Sequence, residues 1–169
     1  MMGGGCVGDA DGDGLTDIFY PRMHDHDILY RSRMDGTFED ISSDAGLTAH
    51  EKIYSSGCAF IDIDNDGDND IFVGTSATES PKLYVNDGTG KFTDKAAERG
   101  FINSKVINNY AGGLIDVVDF NHDGFLDLVI HAQDDRGNLF QNNGTAAPGH
   151  FTGAVNTSPL DPATRRALS

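Results

Sequence analysis

Three stretches of the chain place oxygen-bearing side chains at alternate positions: Asp9-Ala-Asp11-Gly-Asp13-Gly14-Leu-Thr-Asp17, Asp62-Ile-Asp64-Asn-Asp66-Gly67-Asp-Asn-Asp70 and Asp119-Phe-Asn121-His-Asp123-Gly124-Phe-Leu-Asp127. Counted from the first Asp, oxygens fall at positions 1, 3, 5 and 9, with Gly at position 6. Position 7 is Leu15, Asp68 or Phe125, which offers a backbone carbonyl or, in the second loop, a surplus carboxylate. Alternating donors let a short chain wrap a small sphere. All of them are hard oxygens, with no thiolate or imidazole at a ligand position, which selects calcium or magnesium over zinc or copper. Six or seven oxygens on a flexible loop favour calcium, because magnesium demands a tighter octahedron and keeps more of its water. The predicted metal ligands are therefore Asp9, Asp11, Asp13, Leu15 and Asp17; Asp62, Asp64, Asp66, Asp68 and Asp70; and Asp119, Asn121, Asp123, Phe125 and Asp127, for about three Ca2+ ions. The third loop, with Asn121 in place of a carboxylate, carries the least ligand charge and is expected to bind most weakly.

Such loops must be held by regular structure, and the local signals say which kind. The Gly at position 6 fits a sharp reversal with φ > 0, which a Cβ resists. Position 4 is Gly12, Asn65 or His122, residue types that tolerate the same region. An EF-hand would need a bidentate Glu at position 12 between helices. Here position 12 is Tyr20, Val73 or Ile130, inside apolar runs that read as strands.

The loops recur 53 and 57 residues apart, and more than the loops recurs. Leu29-Tyr30, Leu83-Tyr84 and Leu139-Phe140 repeat at similar spacing. Each pair is followed by a Gly-containing turn, Asp35-Gly36-Thr37, Asp87-Gly88-Thr89-Gly90 or Asn143-Gly144, and an aromatic at Phe38, Phe92 or Phe151. Each unit thus predicts four short strands: one into the loop (Cys58–Ile61, Leu114–Val118), one out of it (Ile18–Tyr20, Ile71–Val73, Leu128–Ile130), one bearing the Leu-aromatic pair and one starting at the aromatic. The strands beside the loops are almost wholly apolar and so should be covered on both faces. The class is all-β: three four-stranded antiparallel repeats, at about 1–50, 51–105 and 106–157, stacked as β-propeller blades in an incomplete propeller or arc, with a loose tail at 158–169. Asp94–Arg99 could form a turn or two of helix as a local decoration.

Twelve Lys and Arg against 27 Asp and Glu leave a net charge of −15, which argues against nucleic acid and against anionic membrane surfaces. The apolar runs are far too short for membrane insertion, and no secretory signal is readable at the amino terminus. Cys6 and Cys58 lack Cys-x-x-Cys spacing and read as small apolar residues in strands. The His24-Asp25-His26-Asp27 cluster reads as a solvated connection. No Ser, Cys and His set forms a catalytic constellation, so the chain is expected not to be an enzyme.

These repeats resemble the FG-GAP/VCBS type of β-propeller blade found in integrin α-subunit heads and many bacterial secreted proteins. The Leu-Tyr, Asp-Gly-Thr-Phe and Ala45-Gly46-Leu47 pattern is most similar to the cartilage-acidic-protein and ASPIC/UnbV-like branch. The resemblance covers residues 5 to about 155. It implies a metal between the first two strands of each blade and a noncatalytic calcium-binding module for adhesion or for a protein or glycan ligand. The alternative is a calcium-stabilised scaffold of a larger secreted enzyme, such as one acting on polysaccharide. An extracellular or periplasmic location follows from the calcium available there. Three blades leave two open ends, for the remaining blades or for self-association.

Overall fold

The computed structural model describes residues 4–49, 53–75, 80–101, 115–131 and 137–157; the predicted tail and the strand residue Leu114 lie outside them. Thirteen strands are formed among the described residues. The first unit has β1 (Cys6–Gly8), β2 (Asp17–Tyr20), β3 (Met23–Asp25), β4 (Ile28–Ser32) and β5 (Phe38–Asp40). The second has β6 (Ile53–Ile61), β7 (Asp70–Thr75), β8 (Lys82–Asn86) and β9 (Phe92–Asp94). The third has β10 (Ile115–Val118), β11 (Asp127–His131), β12 (Gly137–Asn142) and β13 (Phe151–Thr157). Pairing is antiparallel throughout, as hairpin connections require. Each acidic loop joins two neighbouring strands of one sheet, β1 to β2, β6 to β7 and β10 to β11.

The sheets run β1-β2-β4-β5, β3-β6-β7-β8-β9 and β10-β11-β12-β13. The second is five-stranded rather than four-stranded, because β3 of the first unit crosses over and pairs with the start of β6 (Met23 with Tyr54, Asp25 with Ile53). β6 is nine residues long, and β3 covers part of an edge that would otherwise present unpaired backbone groups. This corrects the reading of His24–Asp27 as a solvated connection: His24 and Asp25 are strand residues, and Asp27 is buried and accepts a hydrogen bond from the Arg22 amide at 2.9 Å.

Stacking of the sheets makes two cores. Between the first and second units lie Phe19, Leu29, Leu47, Ile71, Val73 and Tyr84. Between the second and third lie Phe72, Leu83, Phe101, Leu128, Phe140 and Phe151. Successive side chains of a strand point to opposite faces, so β7 sends Ile71 and Val73 one way and Phe72 the other, and all six of its residues are buried. The apolar runs beside the loops are explained by this two-sided covering. The helical alternative at Asp94–Arg99 reduces to a turn after β9, closed by Arg99 N–H to the Lys95 carbonyl (2.9 Å) and Phe101 N–H to the Ala96 carbonyl (2.9 Å).

Backbone contacts join one blade to the next in a repeated way. Phe92 N–H donates to Ala45 O at 2.9 Å and Phe151 N–H to Arg99 O at 2.8 Å. The approach is so close that a Cβ on Gly100 would lie 2.2 Å from the Phe151 carbonyl oxygen, which is why no larger residue fits there. Cys6 and Cys58 are not isolated apolar fillers but a disulfide, with Cα atoms 5.7 Å apart. Their separation of 52 residues is close to one repeat, so stacking sets them on corresponding strands of neighbouring blades.

Candidate metal centre

The three loops share one backbone solution. Position 6 has positive φ in all of them, at Gly14 (83°), Gly67 (96°) and Gly124 (87°), and position 4 does too, at Gly12 (75°), Asn65 (60°) and His122 (59°). These turns point amides inward, and the carboxylate at position 1 gathers them. Asp9 accepts from Gly12 and Gly14 (2.8 and 2.9 Å), Asp62 from Asp66 and Gly67 (3.2 and 3.1 Å), and Asp119 from Asp123 and Gly124 (3.1 and 2.9 Å). Position 5 accepts from the amide at position 7, Asp13 from Leu15 (2.8 Å), Asp66 from Asp68 (3.0 Å) and Asp123 from Phe125 (2.9 Å).

Position 9 has a second job that its spacing alone does not announce. Asp17, Asp70 and Asp127 are buried at the start of the exit strand. One oxygen of each accepts from the amide at loop position 2, Ala10 (2.9 Å), Ile63 (3.3 Å) or Phe120 (3.1 Å). The other accepts from the third strand of the same blade, at Ser32 (2.8 Å), Asn86 (2.8 Å) or Asn142 (2.7 Å). Each therefore clamps its loop to the sheet. Burial raises all three carboxyls above their ordinary range against the lowering effect of the two amides, and pushes Asp70 up to about 7. A buried carboxylate in this condition is one that a nearby cation would stabilise.

The donor set fits a hard divalent cation in the first two loops. One oxygen each of Asp9, Asp11 and Asp17 lie within 4.8 Å of one another, and so do oxygens of Asp62, Asp64 and Asp66. Asp64 Oδ1 is buried and has no hydrogen-bond partner, although a buried charged oxygen without one is costly. Asp13 is exposed and outside the first group, and Asp68 Oδ2 lies against Gly88 of the following turn. In the third loop the Asn121 amide nitrogen donates to Asp123 Oδ2 at 2.9 Å, a hydrogen bond that satisfies that oxygen and leaves its charge in place. Leu15 and Phe125 have only carbonyls to contribute; the Leu15 side chain is half-buried and that of Phe125 buried.

Several residues around the loops were not read from the sequence. Asn86 donates to Ala10 O (2.8 Å) in the first loop and to Asn69 O (3.0 Å) in its own, while its oxygen accepts from Gly88 and Gly90. Asn142 repeats this one blade later, donating to Ile63 O (2.7 Å) and Leu126 O (3.2 Å) and accepting from Gly144 and Gly149. The available signal was an Asn just before Asp87-Gly88 and Asn143-Gly144, in register with the Leu-aromatic pairs. The first unit has Ser32 at that place. Two arginines also reach loop position 3: Arg31 stands 3.7 Å from Asp11, and Arg99 3.2 Å from Asp64.

Stacked antiparallel sheets, each built on a four-stranded unit with an acidic loop between the unit's entry and exit strands, define a propeller-like repeat protein. A family model described as FG-GAP-like repeat matches residues 9–73 and again 62–130, and the chain belongs to that family. No curated protein matches the chain. Among solved structures the fold is similar to that of an Agrocybe aegerita lectin, described for specific recognition of non-reducing terminal N-acetylglucosamine, at 22% identity and a TM-score of 0.52. That likeness covers 88% of this chain and 36% of the lectin chain, so this chain spans about a third of its length.

Proposed function

We propose that the chain is a noncatalytic, calcium-stabilised binding module, part of a propeller that presents a surface to a protein or glycan ligand outside the cell or in the periplasm. The observation that carries the calcium reading is the orphaned, buried Asp64 Oδ1 beside Asp62 and Asp66. The residues that would hold the ions are the oxygens at positions 1, 3, 5 and 9 of each loop, with the carbonyl at position 7. Bound calcium supplies charge neutralisation to the eleven carboxylates at positions 1, 3, 5 and 9, four, four and three by loop, with Asp68 beside them in the second. The chain's own residues do the rest: position 1 folds the loop, position 9 fastens it to the sheet, and Asn86 and Asn142 fasten it to the next blade.

A binding role is supported by the binding described for the lectin of similar fold and by the absence of a nucleophile-and-base set in the sequence. The Cys6–Cys58 disulfide supports an oxidising compartment. No helix among the described residues is long and apolar enough to cross a membrane. The Leu-Tyr, Asp35-Gly36-Thr37-Phe38 and Ala45-Gly46-Leu47 pattern favours the cartilage-acidic-protein branch of the family. The open outer face of the first blade, with Val7 62% and Phe38 50% exposed, suits further blades or a second copy.

Calorimetry with calcium is expected to find about three ions per chain with dissociation constants of about 10⁻⁴ to 10⁻³ M, and calcium should raise the melting temperature by mass action. A glycan screen in calcium then tests the ligand class. Chelation that changes neither melting temperature nor hydrodynamic size, with no calcium uptake at millimolar concentration, overturns the reading.

A further inference from the structure

On ligand charge alone the third loop should bind calcium least well, because Asn121 replaces the carboxylate that Asp11 and Asp64 supply at position 3. The surroundings alter that ranking. Where position 3 is a carboxylate, a guanidinium stands on it: Arg31 at 3.7 Å from Asp11 and Arg99 at 3.2 Å from Asp64. No Lys or Arg ion pair to the third loop is found among the described residues. The two arginines come from unrelated places. Arg31 lies on β4 of the first blade and is shared with Glu39 at 2.6 Å. Arg99 follows β9 at the place that Ala45 holds in the first unit, as the matching contacts Phe92 N–H to Ala45 O and Phe151 N–H to Arg99 O show.

Arg99 is the more committed of the two. It and Asp64 each keep only 18% of their side-chain surface exposed, against 39% for Arg31. Its other nitrogen, Nη1, donates to the Pro148 carbonyl of the third unit at 2.6 Å. Gly149 is packed so tightly here that a Cβ would lie 2.8 Å from Arg99 Nη1 and 3.2 Å from Asp64 Cβ. The guanidinium holds Asp64 by Oδ2 and leaves Oδ1 without a donor.

We propose that Arg99 is the residue that sets calcium affinity at the second loop and ties it to docking of the third unit, so that position 3 together with its arginine is close to neutral there, as Asn121 is in the third loop. This rests on the calcium reading above. A fixed cation one carboxylate away opposes a divalent ion by about tenfold in affinity even under water-like screening, so the position-3 carboxylate and its arginine nearly cancel. The same side chain fastens blade to blade, and an ion that draws Asp64 towards itself competes with that fastening.

Calcium calorimetry on the whole chain, with melting curves in chelator and in saturating calcium, tests this. Arg99→Gln is expected to tighten one of three binding steps about tenfold while lowering the melting temperature in chelator, with the deficit narrowing in calcium. Asp64→Asn alone should weaken one step about tenfold, and Asp64→Asn with Arg99→Gln, which gives the second loop the third loop's uncharged Asn at position 3, should return it to within about threefold of the parent. Arg99→Lys keeps the charge but loses the planar fork; its affinity should stay within about twofold while docking weakens, and it serves if Arg99→Gln does not fold. Arg31→Gln should tighten its step by less than Arg99→Gln does. If the parent binds three ions and Arg99→Gln leaves every step unchanged or weaker, or Arg99→Lys shifts one tenfold, the role of Arg99 is overturned and the calcium reading stands. A parent chain that binds no calcium removes both.

Discussion

The two seams between blades use the same backbone scheme and different reinforcement. At each, the aromatic that opens a fourth strand donates its amide to the preceding unit, and an Asn reaches back to the preceding loop. The first seam then adds a covalent bond, Cys6–Cys58, over an aliphatic core of Leu29, Leu47, Ile71 and Val73 with Phe19 against Tyr84. The second has no disulfide. It has Phe101, whose ring centroid stands 5.2, 5.0 and 5.1 Å from those of Phe72, Phe140 and Phe151, and the Arg99 bridge. The recurring contacts define the stacking register, and each seam is left to find its own source of strength. One is limited by chain entropy in the unfolded state and the other by packing in the folded one.

The largest effect that would test this division is Phe101→Ala. Phe101 is 1% exposed at the centre of three rings, and its truncation should cost about 3–5 kcal/mol and release the third unit. The matching Leu47→Ala at the first seam should cost about 2–5 kcal/mol but leave its two blades together. Urea unfolding followed by hydrogen exchange reads both. If Leu47→Ala separates the first unit while the disulfide is intact, the two seams are not reinforced as described.

Opening the Cys6–Cys58 bond, by reduction or by Cys6→Ser with Cys58→Ser, should cost about 2–4 kcal/mol, with most of the lost protection in β1 and β2. The second seam should keep its protection. Equal loss at both seams would mean that the disulfide holds the whole stack rather than one joint.

The smallest effect concerns the inner blade, which belongs to both seams and whose loop clamp, Asp70, is buried. Asp70 is pushed up to about 7 by that burial. With a folded-state value above the unfolded value of about 3.9, its contribution is fully present below that pH and is lost as pH rises from about 4 through about 7. In chelator, stability should therefore fall across that window, and Asp70→Asn should flatten the fall. Calcium should reverse the slope, because it favours the ionised form. A chelated protein whose stability does not fall from pH 5 to 7.5 would show that Asp70 is ionised without cost.

What the residues determine on their own is whatever a few neighbours can decide. Positive φ at loop positions 4 and 6 follows from Gly, Asn and His, the strands from apolar runs between Gly and Asp turns, and the repeat from the chain compared with itself. Two-sided burial of β7 follows as well, since an unbroken apolar strand has no solvent face. Contacts between residues of neighbouring repeats needed the blades to be stacked. Cys58 meets Cys6, Asn142 meets Ile63 across 79 residues, and Arg99 meets Pro148 across 49, only because neighbouring blades are stacked. The crossing of β3 onto β6 and the clamping role of Asp17, Asp70 and Asp127 belong here too. Local sequence encodes dihedral angles and the period of burial, whereas a partner tens of residues away is chosen by the geometry of packing, where one Asp in a motif is indistinguishable by type from the next.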